Sequence, residues 1–282
     1  MEGRKGPQYS NWVSYKVVGA GALATLILLL AARFTVKQSH LIAALLLVGM
    51  FIALAMTFYM ARARTALSYE RGGVQGMVLD GVKNQLKKAG GDGRGKVLDI
   101  GCGSGALSIK IAKDNPRARV TGIDYWGSQW DYSQALCESN AKIEGVSARV
   151  EFRKGDAAKL PYLDGVFDAA VSNFVFHEVR TQPDKLALVK EALRVVKPGG
   201  YFAFEDVFYS KRVYGDMDKF VEALKPYVDE IHFEDMRKPD YAPKFLNTPL
   251  ILGQMGMIWG RKSAASNKGG MCGGKPSHTA LK

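Results

Sequence analysis

The chain has 282 residues and a formal net charge of +12, from 39 Lys and Arg against 27 Asp and Glu. This length allows one large domain plus an appendage, with a core that needs no disulfide or metal to hold it. The excess charge is terminal, because residues 1–64 carry a net +6, residues 261–282 a net +5 and residues 65–260 only +1. This argues against a nucleic-acid enzyme, whose basic face belongs to the folded domain, and favours an anionic membrane surface.

The cysteines predict no metal site and no disulfide framework. Cys102, Cys137 and Cys272 have neither metal-ligand spacing nor the even number that a set of disulfides requires. We therefore expect a reducing compartment.

Two apolar segments come first in the chain. Residues 41–60 contain no charge, and at 1.5 Å per residue they extend about 30 Å, the thickness of a bilayer core. Residues 17–32 form a shorter apolar run, which with its flanks predicts a span at about 13–33. A cleaved signal peptide that ends near Ala31–Ala32 is the alternative for this first segment.

Basic residues flank the pair of segments and predict its orientation. By the positive-inside tendency, both ends and the domain that follows face the cytoplasm. The basic residues on the two outer flanks are Arg4, Lys5, Lys16, Arg62, Arg64 and Arg71, against only Arg33 and Lys37 in the connection. We therefore predict a membrane anchor over 1–64, a globular domain over 65–261 and a disordered basic tail over 262–282.

In the globular part, helical and strand patterns alternate. This alternation predicts an α/β fold with a mostly parallel sheet covered by helices on both faces. The patterns predict helices at 74–89, 104–115, 128–144, 184–197 and 216–225, and strands at 96–100, 119–124, 149–156, 166–174, 201–208, 230–236 and 249–262.

A glycine-rich loop, DIGCGSGA at 99–106, lies between the first strand and its helix. Gly101, Gly103 and Gly105 leave a bare backbone there, which lets a ligand approach closely and turns amides toward it. Asp124 ends the next strand, where an acid binds ribose hydroxyls. These features fit both a nicotinamide site and an S-adenosylmethionine site.

Further features favour S-adenosylmethionine. Asp99 stands two residues before the first glycine, where a carboxylate repels a pyrophosphate but attracts a sulfonium and an amino group. Asp156 follows the third strand in GDAAKLP, placed to accept from the exocyclic amine of adenine. FDAAVSNFVFHEV and LRVVKPGGYFAF then follow in order. With these motifs, residues 70–260 resemble the class I S-adenosylmethionine-dependent methyltransferases, in particular the branch with quinone, sterol and other small-molecule methyltransferases.

The resemblance implies a Rossmann-like seven-stranded sheet with an antiparallel last strand, here preceded by two transmembrane helices. It implies that Tyr125 lies against the adenine, that Asp156 and Ala157 read the adenine edge, and that Asn173 and Phe174 lie beside the sulfonium. The cofactor-binding residues that it implies are Asp99, Gly101, Cys102, Gly103, Gly105, Asp124, Tyr125, Asp156, Ala157, Asn173 and Phe174.

Ligands in such sheets lie beyond the carboxyl ends of the strands. We therefore expect His177, Glu178, Asp206, Phe208 and Tyr209, which follow strands four and five, to meet the substrate. His177 is the first candidate for a general base, because its ordinary pKa is near operating pH, and Asp206 is the second. A local packing role for His177 stays open.

Two further observations bear on the acceptor. Trp126 and Trp130, four residues apart, either wall the substrate cavity, anchor the domain at a membrane interface or pack in the core. The stretch SNFVF stands where enzymes that methylate bases or glutamine carry an NPPY-type signature, which argues against those substrates.

These observations favour a membrane-anchored methyltransferase that acts on a lipophilic small molecule, such as a quinone, sterol, lipid or thiol, with S-adenosylmethionine as cofactor and no nucleic-acid partner. A nicotinamide-dependent oxidoreductase is one alternative, disfavoured by Asp99 and by the lack of a Tyr-x-x-x-Lys dyad. A non-catalytic scaffold that keeps the cofactor fold is the other. The sequence leaves the acceptor atom and the oligomeric state open.

Overall fold

The computed structural model describes residues 6–69, 73–91, 93–127 and 132–264. Two long helices come first: α1 spans Tyr15–Thr35 and α2 spans His40–Ala66. Serines begin both helices, because the side chain of Ser14 accepts from the amide of Lys16 and that of Ser39 from the amide of Ile42. The two helices pack against each other along their length.

Both helices are long and apolar enough to cross a membrane, with a mean hydropathy of 2.1 for α1 and 2.6 for α2. Only 6% and 11% of their most apolar windows are buried. Core helices of soluble proteins, which are mostly buried, and N-terminal signal sequences share this composition. The helices therefore lie where the spans were predicted, whereas length and composition alone do not place them in a membrane.

The rest of the described chain alternates between strands and helices, as the pattern predicted. Its elements are α3 (Val74–Lys88), β1 (Gly95–Ile100), α4 (Ala106–Asp114), β2 (Ala118–Asp124), α5 (Gln134–Ile143), β3 (Val150–Lys154), β4 (Phe167–Asn173), α6 (Lys185–Arg194), β5 (Val196–Asp206), α7 (Lys211–Tyr214), α8 (Met217–Leu224), β6 (Val228–Asp235) and β7 (Gly256–Lys262).

The strands form one seven-stranded sheet in the order β3-β2-β1-β4-β5-β7-β6. Strands β1 to β5 pair in parallel, and β7 is antiparallel to both β5 and β6. This confirms the predicted Rossmann-like, mostly parallel sheet with an antiparallel last strand. The strand order reverses between β1 and β4, so the loops after these two strands flank the crevice where ligands bind in such sheets.

Apolar clusters cover the two faces of the sheet, and a third cluster joins the sheet to the helical pair. The third cluster packs α3 and the segment before β7 against the ends of α1 and α2. Its buried members are Val13, Ala63, Leu67, Val74, Val78, Leu246, Leu252 and Met255. The base of the helical pair is therefore part of the folded body.

Four predicted elements differ from the structure. The strand predicted over 201–208 is β5, which begins five residues earlier at Val196 and ends at Asp206. The helix predicted over 128–144 begins at Gln134, where Ser133 caps it through the amide of Leu136, and residues 128–131 lie outside the described range. The helix predicted from residue 104 begins at Ala106, because Gly105 adopts a left-handed φ of 81°.

The late strand predicted over 249–262 forms only from Gly256. The apolar residues before it lie in a turn, in which the amides of Ile251 and Gly253 donate to the carbonyl of Thr248 at 3.0 and 2.8 Å. At the other end β7 includes Lys262, the first residue of the predicted tail, and the tail beyond residue 264 lies outside the described residues.

Candidate active site

A cavity of about 1090 Å³ lies at the carboxyl ends of β1, β2 and β4. Small-molecule sites are about 300–1,000 Å³, so this cavity has room for a cofactor and an acceptor together. The structure brings most of the predicted site residues to its wall: Asp99, Gly101, Cys102, Gly103, Asp124, Tyr125, Asp156, Ala157, Asn173, Phe174, His177 and Glu178.

The glycine loop between β1 and α4 is shaped by left-handed residues. Gly101 has a φ of 71°, and a Cβ placed there would overlap the side chain of Val175. The amides of Gly101 and Cys102 both donate to the carbonyl of Ile123, at 2.7 and 3.1 Å, which ties the loop to β2. Gly105, which begins α4, has no side chain to cap the helix, and the Asp99 carboxyl accepts from the backbone amide of Ser108 in its first turn.

Asp124 is held by two backbone amides. Its Oδ2 accepts from Gly103 at 2.9 Å and its Oδ1 accepts from Trp126 at 2.7 Å. Burial raises the pKa of this carboxyl, and the amides of Trp126 and Gly103 oppose that rise. Each oxygen keeps a lone pair, so the carboxylate can accept from a ribose diol in the cavity.

Asp99 is buried at the end of β1, with its side chain on the cavity wall. Its Oδ2 accepts from the hydroxyl of Ser108 on α4 at 2.6 Å. Burial raises the pKa of Asp99 to about 7, against the hydrogen bond from Ser108, and the charge of Asp124 adds to the rise. A cationic amino group beside Asp99 would favour the carboxylate form.

Asp156 and Asn173 offer further acceptor groups. Asp156 accepts from the amide of Ala158 through Oδ1 at 2.9 Å and still reaches the cavity wall. The Oδ1 of Asn173 is buried, and the structure shows no hydrogen-bond partner for it within the described chain. Because buried polar atoms normally have a partner, this oxygen fits a donor from a bound molecule.

His177 and Asp206 form a dyad after β4 and β5. His177 Nδ1 lies 2.5 Å from Asp206 Oδ1, and His177 Nε2 lies 3.4 Å from Glu178 Oε1. Burial alone would lower the pKa of His177, but the charge and hydrogen bond of Asp206, helped by Glu178, raise it to about 10. The imidazole is therefore protonated at neutral pH in the ligand-free protein, so the ordinary pKa that made His177 a candidate base does not hold here.

The comparisons with known proteins agree with this geometry. Residues 98–204 match a family model described as a methyltransferase domain. These residues therefore belong to a methyltransferase domain. S-adenosylmethionine is the cofactor of this domain, and the methyltransferase match decides between the two interpretations of the glycine loop. The acidic and amide acceptors described above fit the ribose, amino group and adenine of that cofactor.

Two curated relatives of the methyltransferase domain illustrate the match. The arsenite methyltransferase of Aquipseudomonas alcaligenes is 37% identical over 42% of this chain and 34% of its own length. The ubiquinone/menaquinone biosynthesis C-methyltransferase UbiE of Desulfotalea psychrophila is 34% identical over 41% of this chain and 42% of its own length. The chain thus spans less than half the length of either relative.

A solved structure shares the fold of the domain. The crystal structure of geranyl diphosphate C-methyltransferase from Streptomyces coelicolor A3(2), in complex with Mg²⁺, geranyl-S-thiolodiphosphate and S-adenosyl-L-homocysteine, has a TM-score of 0.50 and 16% identity. The similarity covers 68% of this chain and 77% of that one. At this identity the likeness shows the fold alone.

Several predicted residues of the methyltransferase domain do not line the cavity. Asp206 is fully buried behind His177, and its Oδ1 also accepts from the amide of Val207 at 2.6 Å, so it positions the imidazole and does not meet substrate. Phe208 is fully buried against Tyr214, with ring centroids 4.7 Å apart. These two predictions of substrate contact are corrected by burial.

Three more predicted residues that the structure describes do not line the cavity either. Trp126 has a left-handed φ of 44° and its Nε1 donates to the carbonyl of Gly103 at 3.0 Å, so it braces the glycine loop. Tyr209 lies under the guanidinium of Arg237, 3.8 Å from its ring centroid. Gly105 begins α4 beside the cavity, and Trp130 lies outside the described residues.

Sequence reasoning missed one wall of the cavity. Residues before and within the apolar helices line it together with the turn before β7 and two arginines: Trp12, Val13, Val17, Met60, Leu67, Leu250, Ile251, Gln254, Arg180 and Arg212. Among these, only Trp12 carried a signal, as an aromatic residue next to a span, and that signal pointed to a membrane interface.

Proposed function

We propose that this chain is an S-adenosylmethionine-dependent methyltransferase that acts on a lipophilic small molecule, anchored in a membrane by α1 and α2. Its termini and domain would face the cytoplasm. The observation that carries the proposal is a single cavity, lined on the cofactor side by Asp99 and Asp124 and elsewhere by an apolar wall. This wall includes Val17 and Met60 of the helical pair and Val13 just before it. A helical pair that only tethered the domain would not need to line its site.

Residues of this chain bind and orient the cofactor. Asp124 accepts from the ribose hydroxyls, Asp99 faces the amino group, and Asp156 with Ala157 contacts the adenine edge. The bound cofactor supplies an electrophilic methyl group on a sulfonium. Because the leaving group is already good, holding the acceptor in line accounts for much of the rate.

His177 holds a proton at the acceptor end of the site. Asp206 fixes the ring through Nδ1, which leaves Nε2 toward Glu178 and the cavity. As an imidazolium, His177 donates to an acceptor that is already anionic. As a neutral ring, at a pH above its pKa, it takes a proton from a hydroxyl or thiol.

The relatives and the helices support the lipophilic acceptor and the anchor. One relative of the methyltransferase domain is named for ubiquinone/menaquinone biosynthesis. The outer faces of α1 and α2 expose large apolar side chains, including Leu45, Phe51 and Phe58, each more than 60% exposed. An apolar surface of this kind on a soluble monomer is unusual and marks an interface with lipid or protein.

The first experiment is calorimetric titration of the full detergent-purified chain with S-adenosylhomocysteine. We expect binding to the wild type and to Asp164→Asn, an exposed control, and a loss of at least about tenfold in affinity in Asp124→Asn. Preference for reduced nicotinamide, or no binding by a folded sample, would overturn the proposal. Transfer of a labelled methyl group to a lipid extract then separates an enzyme from a scaffold.

The anchor has its own test. Membranes from expressing cells are extracted with alkaline carbonate, which releases peripheral proteins. We expect the chain to stay in the pellet, and release into the supernatant would remove the membrane part of the proposal while leaving methyl transfer intact.

A further inference from the structure

The acceptor end of the cavity has an apolar wall built by the N-terminal segment and the helical pair. Trp12 packs edge-on against Phe174, the residue after β4, with ring centroids 5.1 Å apart. Val13 is buried beside it, and Val17 on α1 and Met60 on α2 continue the wall. This wall therefore reaches the position where the methyl group would be presented.

The N-terminal segment is fixed to the domain at both ends. The side chain of Asn140 pairs with Gln8, donating to its carbonyl at 2.9 Å and accepting from its amide at 2.8 Å, and also donates to the carbonyl of Ser104 in the glycine loop at 3.0 Å. Nearer α1, the side chain of Asn11 donates to the carbonyl of Arg64 at 2.7 Å. The wall is therefore part of the site in the ligand-free protein.

The cavity is open to the surface of the helical pair. Val17 is 50% exposed and Leu250 is 59% exposed, and both line the cavity. An apolar mouth at the base of two apolar helices lies where the acyl chains of a bilayer would begin.

Two arginines line the same cavity on its polar side. Arg180 and Arg212 are exposed, and neither forms an ion pair within 4.0 Å in the part of the chain that the structure describes. The nearby carboxyl of Glu178 accepts a hydrogen bond from His177, and this bond and the charges of His177 and Arg180 lower its pKa. Guanidinium groups that no carboxylate engages within ion-pair distance suit the planar oxygens of an acid.

We propose that the acceptor is a single-chain anionic amphiphile, with its chain against Trp12, Val17 and Met60 and its acid group at Arg180 and Arg212. This inference rests on the proposed function and names its substrate class. A neutral sterol would place no anionic group against the two arginines. A small soluble acid would leave the apolar wall in water.

The test is photocrosslinking of the full chain in phosphatidylcholine nanodiscs with a diazirine-bearing palmitic acid. Labelled peptides are mapped by mass spectrometry. We expect label on residues 12–17 and 249–251, competed by unlabelled palmitate. Met60→Trp, which fills the mouth, lowers this label about fivefold or more, whereas Phe51→Trp on the lipid-facing side of α2 leaves it unchanged.

The contribution of the acid group to binding is tested by comparing labelling by the diazirine-bearing acid with labelling by the matching alcohol. In the double variant Arg180→Gln and Arg212→Gln, label from the acid at residues 12–17 falls about tenfold, and label from the alcohol does not change. Arg33→Gln, at the far end of α1, is the control for membrane charge. Equal loss of both labels, or label confined to the outward faces of α1 and α2, overturns the proposal.

Two further outcomes of these experiments can be told apart from the ones above. If the wall is labelled in an arginine-dependent way only by a photoreactive phosphatidylglycerol, a two-chain lipid occupies the site and the single-chain proposal is wrong. S-adenosylhomocysteine titration of the same nanodiscs distinguishes the remaining cases: binding without wall label removes this inference alone, and no binding removes the proposed function.

Discussion

At the scale of single residues, burial and neighbouring charge decide what each side chain of the site does. His177 and Asp99 are both titratable groups withdrawn from water, yet Asp206 raises the pKa of one to about 10 while loss of solvent raises the pKa of the other to about 7. The motif fixes where these groups lie, and their environment fixes their protonation. Each shift gives a measurable pH dependence.

Cofactor binding depends on pH through Asp99. Because the pKa of Asp99 is about 7 in the ligand-free protein, about nine-tenths of the carboxyl is protonated one unit below that pH. We expect S-adenosylhomocysteine to bind about tenfold more weakly at pH 6 than at pH 8. Calorimetry at both values measures this, and Asp99→Asn should bind weakly with no such difference. A pH-independent wild type would contradict the role of Asp99.

Methyl transfer depends on pH through the dyad. If His177 takes a proton from the acceptor, the rate rises as the imidazolium deprotonates near pH 10. Asp206→Asn removes the negative charge that holds this pKa high, so the rising limb moves to lower pH. A limb that stays in place in Asp206→Asn, in protein that still binds S-adenosylhomocysteine, would show that His177 is not the base. If the acceptor is already anionic and His177 donates to it as an imidazolium, the rate instead falls as the imidazolium deprotonates near pH 10.

The raised pKa of His177 also makes the free energy of unfolding depend on pH. The pKa of His177 is raised on folding from an ordinary value of about 6.5, so its contribution is full below about pH 6.5 and is lost as pH rises toward 10. Denaturant titrations between pH 6 and 10 should show this loss in the wild type. His177→Gln removes the titrating group, and an equal loss in that variant would assign the pH dependence elsewhere.

At the scale of elements, the loop between β1 and α4 depends on glycine for space as well as for backbone freedom. Gly101 and Gly145 have nearly the same φ, 71° and 72°, but a Cβ at Gly101 would overlap Val175 and a Cβ at Gly145 meets nothing within 4 Å. Comparing alanine at the two positions separates the clash from the backbone strain.

We expect Gly145→Ala to lower the free energy of unfolding by about 1 kcal/mol, the cost of the left-handed backbone. Gly101→Ala should cost about 1–3 kcal/mol more, since the overlap forces the loop or Val175 to move. Denaturant titration measures both, and calorimetry should show weaker S-adenosylhomocysteine binding in Gly101→Ala alone. Adding Val175→Ala should restore part of the stability, and no restoration would place the cause outside this contact.

Hydrophobic periodicity predicted the elements, whereas caps, turns and distant contacts that periodicity does not register set their ends and one wall of the cavity. The alternation of patterns gave the parallel sheet, and Asp99 and Asp124 were found because their motifs are contiguous with strand ends. The start of β7 was missed because the apolar run before it turns on hydrogen bonds to Thr248, which periodicity does not register. The ring contact between Trp12 and Phe174 was not predicted, because the two residues are far apart in the sequence.

At the scale of the whole molecule, the helical pair and the methyltransferase domain are joined through one segment. Asn140 on α5 holds Gln8 and Ser104 together, so the N-terminal segment, the glycine loop and α5 share one set of hydrogen bonds. This arrangement predicts that the helical pair and the cofactor site are coupled energetically. The coupling is testable at a residue that lines neither the cavity nor the helical pair.

Asn140→Ala breaks all three hydrogen bonds and leaves the carbonyl of Ser104 and the backbone of Gln8 without that partner. We expect faster hydrogen exchange in residues 8–13 and about threefold to tenfold weaker binding of S-adenosylhomocysteine, since the lost hydrogen bond to the glycine loop at Ser104 is worth about 1 kcal/mol. Glu138→Ala, an exposed residue on the same helix, is the matched control. Faster hydrogen exchange with unchanged binding of S-adenosylhomocysteine would mean that the N-terminal segment closes the acceptor end of the cavity without affecting the cofactor. Unchanged hydrogen exchange would show that the apolar contacts of Trp12 and Val13 alone hold the wall.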